Sequence, residues 1–155
     1  MPAAEPGVTF KEIDINYQGF KDNIDYSGID LLQMPKLKWL WLNEFFDGPL
    51  QGIVEVEGKL GICCFVEESD NESEQGWYRK FVVLELSDEQ IKAEQYWHNE
   101  FVKYVGDHFK CNPDSSRITV GAQKPKSEWD KFYVPYKEKY QPNFESNKVL
   151  GWTKI

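Results

Sequence analysis

The chain reads as an α+β domain: an antiparallel sheet of about four to six strands, one main helix on one face, and a second short helix. Three observations predict it. Short runs of β-branched and aromatic residues, separated by turn residues, fill the stretch from Leu37 to Leu86. A capped amphipathic pattern follows from Ser87 to Gly106. Aromatic residues make up 15% of the 155 residues, with six Trp, eight Tyr and ten Phe, enough to build one core largely from rings.

Taken in order, residues 1–9 carry Pro2, Pro6 and Gly7 and read as a flexible leader, with residues 10–155 forming the domain. Phe10 to Ile15 alternates imperfectly and is expected as an edge strand, and Asp22 to Asp30 as a turn-rich loop. Leu-Lys-Trp-Leu-Trp-Leu from Leu37 predicts a strand with Leu37, Trp39 and Trp41 on one face and Leu40 and Leu42 on the other; a helix remains an alternative for so short an apolar run. Asp47-Gly48-Pro49 enforces a turn. Gly52–Val56 and Leu60–Val66 form a hairpin around Glu57-Gly58-Lys59, Glu67–Gly76 is a polar acidic connection, and Trp77–Leu86 is the strongest strand.

The main helix is expected over about 88–105. Ser87 and Gln90 form a capping box, Asp88 and Glu89 suit the positive end of the helix dipole, and Gly106 stops it. At about 100° per residue, Ile91, Ala93, Trp97, Phe101, Val102, Tyr104 and Val105 share one half, with Lys92, Gln95, Asn99, Glu100 and Lys103 opposite. The second helix spans about 127–140, with Trp129, Phe132 and Tyr133 inward and Pro135 ending or kinking it. Lys148–Trp152 is a last strand.

Charge narrows the partners. Eighteen Lys and Arg against 26 Asp and Glu leave a net charge of −8, and no cationic cluster offers itself to phosphates or an anionic membrane surface. Direct nucleic-acid or membrane binding is therefore not expected. Met1–Phe10 lacks the basic and apolar regions of a secretory signal, and no window is long and apolar enough to span a bilayer. Cys63 and Cys64, adjacent on a strand, would point to opposite faces as buried thiols, so a cytoplasmic protein with reduced cysteines is the expectation.

Two constellations stand out. Glu94 and His98 are four residues apart on the helix and fall within its apolar half, where a carboxylate could orient an imidazole for acid–base chemistry. Their plainer reading is a pair that satisfies itself at the helix border. Glu67, Glu68, Asp70, Glu72 and Glu74 place five carboxylates in eight residues beside Trp77 and Tyr78, a face suited to a basic protein partner. Its plainer reading is a solvated hairpin loop.

No metal or cofactor is expected. His98, His108 and Cys111 lack the paired ligand spacing of a zinc site, and the loop with Asn23, Asp25, Ser27 and Gly28 has Met34 where a calcium loop needs a bidentate Glu. No phosphate-binding loop or nucleophile elbow occurs, and nothing local activates Cys64 or Cys111.

Asp25-Tyr26-Ser27-Gly28-Ile29-Asp30-Leu31, Met34-Pro35, Leu37-Lys38-Trp39-Leu40-Trp41, Phe46-Asp47-Gly48-Pro49-Leu50, Tyr96-Trp97-His98 and Gly151-Trp152 together resemble a family of small uncharacterised bacterial proteins. The resemblance implies a stand-alone bacterial or phage-type domain and transfers no site residue. The function expected is that of a small acidic protein-binding domain that inhibits its partner, of immunity or counter-defence type. The alternative is a small hydrolase or nuclease working through Glu94 and His98.

Overall fold

The computed structural model describes residues 28–33, 35–45, 49–70, 77–107, 109–111 and 118–155. The leader, the strand expected over Phe10–Ile15, the Asn23 loop as far as Ser27, and the Asp47-Gly48 turn lie outside them. The described chain is α+β. Strands β1 (Leu37–Phe45), β2 (Pro49–Val56), β3 (Lys59–Asp70), β4 (Trp77–Glu85) and β7 (Val149–Lys154) form one antiparallel sheet in the order β1-β2-β3-β4-β7. Helix α1 (Asp88–Tyr104) follows β4, then the hairpin of β5 (Phe109–Cys111) and β6 (Ile118–Val120), then helix α2 (Lys126–Lys139).

The β2–β3 turn is the two-residue type that the right-handed twist of antiparallel strands selects, with Glu57 and Gly58 both at positive φ. Both faces of the sheet are apolar. One buries Ile53, Ile62, Cys64, Val82, Leu84, Phe144 and Val149, and the other Leu37, Trp39, Val54, Cys63, Phe81 and Val83. Cys63 and Cys64 thus divide between the faces as strand alternation requires, both as free buried thiols. Gly52 makes room for the ring of Trp39, whose nearest atom lies 2.7 Å from where a Cβ would stand.

Strand β1 departs from simple alternation. Its register slips between Trp39, opposite Val54, and Trp41, opposite Ile53, so Leu40 is an extra residue and 41% exposed. The bulge sends Trp41 to the α1 side of the sheet, while Leu37, Trp39 and Leu42 stay on the other. The expected grouping of Trp41 with Trp39, and the expected placement of Leu42 on the face opposite Trp39, are both corrected accordingly. Strand β3 also runs longer than the pattern predicts. Glu67 to Asp70, read as loop, continue the ladder opposite Lys80 to Trp77. Cationic partners on the facing strand make acidic residues acceptable there.

Helix α1 begins as its cap residues dictate. The Ser87 hydroxyl accepts from the Gln90 amide, and the Gln90 side chain accepts from the Ser87 amide. Gln90 is also tied to Asn147, which donates to the Glu85 carbonyl, so the cap is joined to the turn before β7. Ser87→Ala is expected to lower stability by about 1 kcal/mol, measured by urea denaturation. Gly106, at φ +102°, closes the helix by donating to the Phe101 carbonyl. The inward face is Ile91, Glu94, Trp97, His98, Phe101 and Val105; Ala93 and Val102, expected inward, are exposed. The aromatic residues set that rotation, because Trp97 and Phe101 pack edge-on against α2.

Helix α2 passes through Pro135 for one more turn and ends at Lys139. Phe132, Tyr136 and Tyr140, each four residues apart, stack at 4.8 and 4.6 Å between centroids, and this ladder with the rings of α1 outweighs the backbone bond that proline removes. Among the described residues no helix is long and apolar enough to cross a membrane.

Candidate functional site

The α1–α2 junction builds the first candidate site. Glu94 is only 4% exposed, although it is a carboxylate on the second turn of a helix. Its Oε1 accepts a hydrogen bond from Asn43 Nδ2 at 3.0 Å and another from the Tyr140 hydroxyl at 3.1 Å. Asn43 is the residue displaced by a second register slip in β1, between Leu42 and Glu44, and it also donates to Gln51 Oε1. One carboxylate therefore joins the sheet, α1 and the end of α2. Burial pushes its carboxyl above the usual range, and the hydrogen bonds from Tyr140 and Asn43 oppose that shift. The Tyr140 hydroxyl is itself raised well above the tyrosine range, by burial first and by the neighbouring Glu94 charge.

His98 lies one turn further on. Its ring stacks on Trp41 at 4.4 Å with planes 15° apart. Burial lowers its pKa, and the charge of Asp107 works against the shift. Glu94 and His98 line the same cavity, of about 30 Å³, with Trp97, Tyr136 and Tyr140. That is room for about one water molecule. No hydrogen bond or ion pair joins the two side chains; Glu94 is held by Asn43 and Tyr140, and His98 by the face of Trp41. Trp41 Nε1 is the one buried polar side-chain atom without a partner among the described residues. A second, more open cavity of about 170 Å³ lies between α1 and the chain leaving α2, and Glu94 and Tyr140 line it as well.

The acidic stretch forms the second site. Beyond Phe65 the β3–β4 ladder runs past the strand pairing of β2, and past Arg79, which exchanges backbone hydrogen bonds with Ile155, so that among the described residues Ser69 and Asp70 pair with Tyr78 and Trp77 as the end of a two-stranded arm. At its root Glu67 pairs with Lys80 at 3.3 Å, with both side chains largely buried, and Glu68 with Arg79 at 3.3 Å. Arg79 Nη1 donates to the Pro49 carbonyl, and its guanidinium lies 5.6 Å over the Phe65 ring. Tyr78 is half-buried beneath the ammonium groups of Lys80 and Lys154. Asp70 and Trp77 close the ladder as a backbone pair, and Glu72 and Glu74 lie outside the described residues.

Among the described residues no group of three or more His, Cys, Asp or Glu side chains is arranged to hold a metal ion. Cys111 belongs to the β5–β6 hairpin, and His108 lies outside the described residues. Reading residue by residue missed Asn43 and Tyr140. The only signal for Tyr140 was the four-residue spacing Phe132, Tyr136, Tyr140, masked by Pro135; Asn43 depends on a bulge that alternation does not encode. Compared with known proteins, the chain matches no family model, no curated protein and no solved structure.

Proposed function

We propose that this chain is a small acidic binding protein whose β3–β4 arm docks on a basic protein partner and inhibits it, in the manner of an immunity or counter-defence protein. The observation that carries the reading is the arm itself. A two-stranded ladder extends beyond its neighbours, its root held by the Glu67–Lys80 and Glu68–Arg79 pairs. The sequence from Asp70 to Tyr78 then adds Asp70, Glu72 and Glu74 with no cation among them, followed by Trp77 and Tyr78. Ordering the root before binding reduces what association must spend on fixing side chains, the carboxylates steer a cationic surface, and aromatic residues supply anchors. A net charge of −8 supports a protein rather than a nucleic acid as the partner.

The test compares the wild type with the double variant Glu72→Gln/Glu74→Gln as bait in extracts of the native host. The wild type is expected to retain a basic protein that elutes as salt rises, and the variant to lose at least about tenfold of that retention. Equal retention by both baits would rule the arm out as the docking element.

One observation favours the second reading, a small hydrolase or nuclease: Glu94 and His98 line a common cavity. Under it, Glu94→Gln and His98→Gln would each abolish an activity while keeping the fold. A cavity sized for one water and a Glu94 already held by two neighbours support it less than the arm supports binding.

A further inference from the structure

We infer that the open cavity between α1 and the chain leaving α2 binds a guanidinium group carried on a short apolar stem. Its floor is Glu94, and its walls include Trp97 and Tyr140. Among the described residues, both hydrogen bonds to Glu94 fall on Oε1 and none on Oε2. Oε2 is not sealed either, since among the described residues Trp41 Nε1 is the only buried side-chain polar atom left without a partner. Glu94 is 4% exposed, so the carboxylate keeps one oxygen, in a largely buried position, for a donor that enters the open cavity. A charge-assisted hydrogen bond is strongest in that setting.

The aromatic walls narrow the class of ligand. Tyr140 ends the stack that begins at Phe132, with one face against Tyr136. Tyr140 and Trp97 bring aromatic rings to the lining of the cavity, and Tyr136 does not reach it. A planar, weakly hydrated cation packs favourably beside aromatic rings, and guanidinium does so better than a strongly hydrated ammonium. The volume of about 170 Å³ takes the head group and part of its stem, where the inner cavity takes one water. Lys139, the other charged residue lining the cavity, makes no ion pair with Glu94 and leaves the carboxylate to the ligand. Burial disfavours the ionised carboxylate, and an incoming cation relieves exactly that cost, so binding draws Glu94 into its charged form.

The test is a titration of the full chain with n-butylguanidinium, followed by amide chemical shifts at pH 8. Saturating shifts are expected at Gln90, Ala93, Glu94 and Tyr140, with n-butylurea, the neutral analogue, producing none. Glu94→Gln is expected to weaken binding at least about tenfold. Ala93→Arg, at an exposed position lining the cavity, is expected to abolish it by filling the site with its own guanidinium, and serves if Glu94→Gln disturbs the fold. Glu72→Gln/Glu74→Gln should leave the affinity unchanged, so failure of the arm and failure of this site are distinguishable. Acetyl-arginine N-methylamide separates sources: tighter binding than n-butylguanidinium assigns the site to an arginine of a polypeptide, equal binding to a free guanidinium compound. Unsaturable shifts with n-butylguanidinium, equal binding of n-butylurea, or unchanged affinity in a folded Glu94→Gln protein would overturn the inference.

Discussion

Alanine at position 81 is expected to lower the free energy of unfolding by about 3–5 kcal/mol, read from urea denaturation followed by tryptophan fluorescence. Phe81 is fully buried in the middle of β4, edge-on to Trp39 at 5.4 Å and to Phe65 at 6.1 Å. Its loss removes the ring that three adjacent parts of the sheet share, and rigid neighbours on paired strands limit how far the cavity can collapse. The comparison is Leu40→Ala. Leu40 has the same strand environment in sequence but sits on the bulge, 41% exposed, and should cost within about 0.5 kcal/mol. Similar losses at the two positions would contradict the register of β1.

The second large effect separates the charge of Glu94 from its hydrogen bonds. Glu94→Ala leaves the Tyr140 hydroxyl without its acceptor and Asn43 Nδ2 with Gln51 Oε1 alone, and is expected to cost about 1–3 kcal/mol for each N–H or O–H that water does not reach. Glu94→Gln keeps an acceptor for both and cannot ionise. Because burial raises the native carboxyl pKa above its unfolded value, the folded chain holds this proton more tightly than the unfolded chain does. The associated stability is fully present below the unfolded pKa of about 4.5 and is lost as pH rises through the native value. Glu94→Gln does not suffer that loss. Its melting temperature should match the wild type near pH 4 and exceed it at pH 8. The lowered pKa of His98 acts in both proteins and cancels in the difference. A Glu94→Gln protein less stable than wild type at pH 8 would show that ionised Glu94 is a net stabiliser.

The fold was legible where local chemistry decides it. Ser87, Gln90 and Gly106 delimit α1 because capping acts within a few residues, and Glu57-Gly58 specifies its hairpin through backbone sterics alone. What escaped depends on partners distant in the chain. The bulge at Leu40 exists because β1 must match β2 while Trp39 lies over Gly52, and alternation along one strand carries no trace of that. Glu67 and Glu68 read as loop because acidic residues disfavour strands on their own; Lys80 and Arg79, more than ten residues on, make them strand. The same holds at the site. Helical spacing brought Glu94 and His98 to one side of α1, but their actual partners, Asn43, Tyr140 and Trp41, come from a bulge, a helix end and a strand.

The most direct test of the proposed function places a photo-crosslinking amino acid at Tyr78, on the arm, and in a second protein at Val134, 62% exposed on the outer face of α2. Irradiation in extracts of the native host is expected to join a basic protein to the Tyr78 position and nothing to Val134, with the product suppressed by high salt. A specific product at Val134 and none at Tyr78 would contradict the account and move the binding surface from the acidic arm to the helical layer.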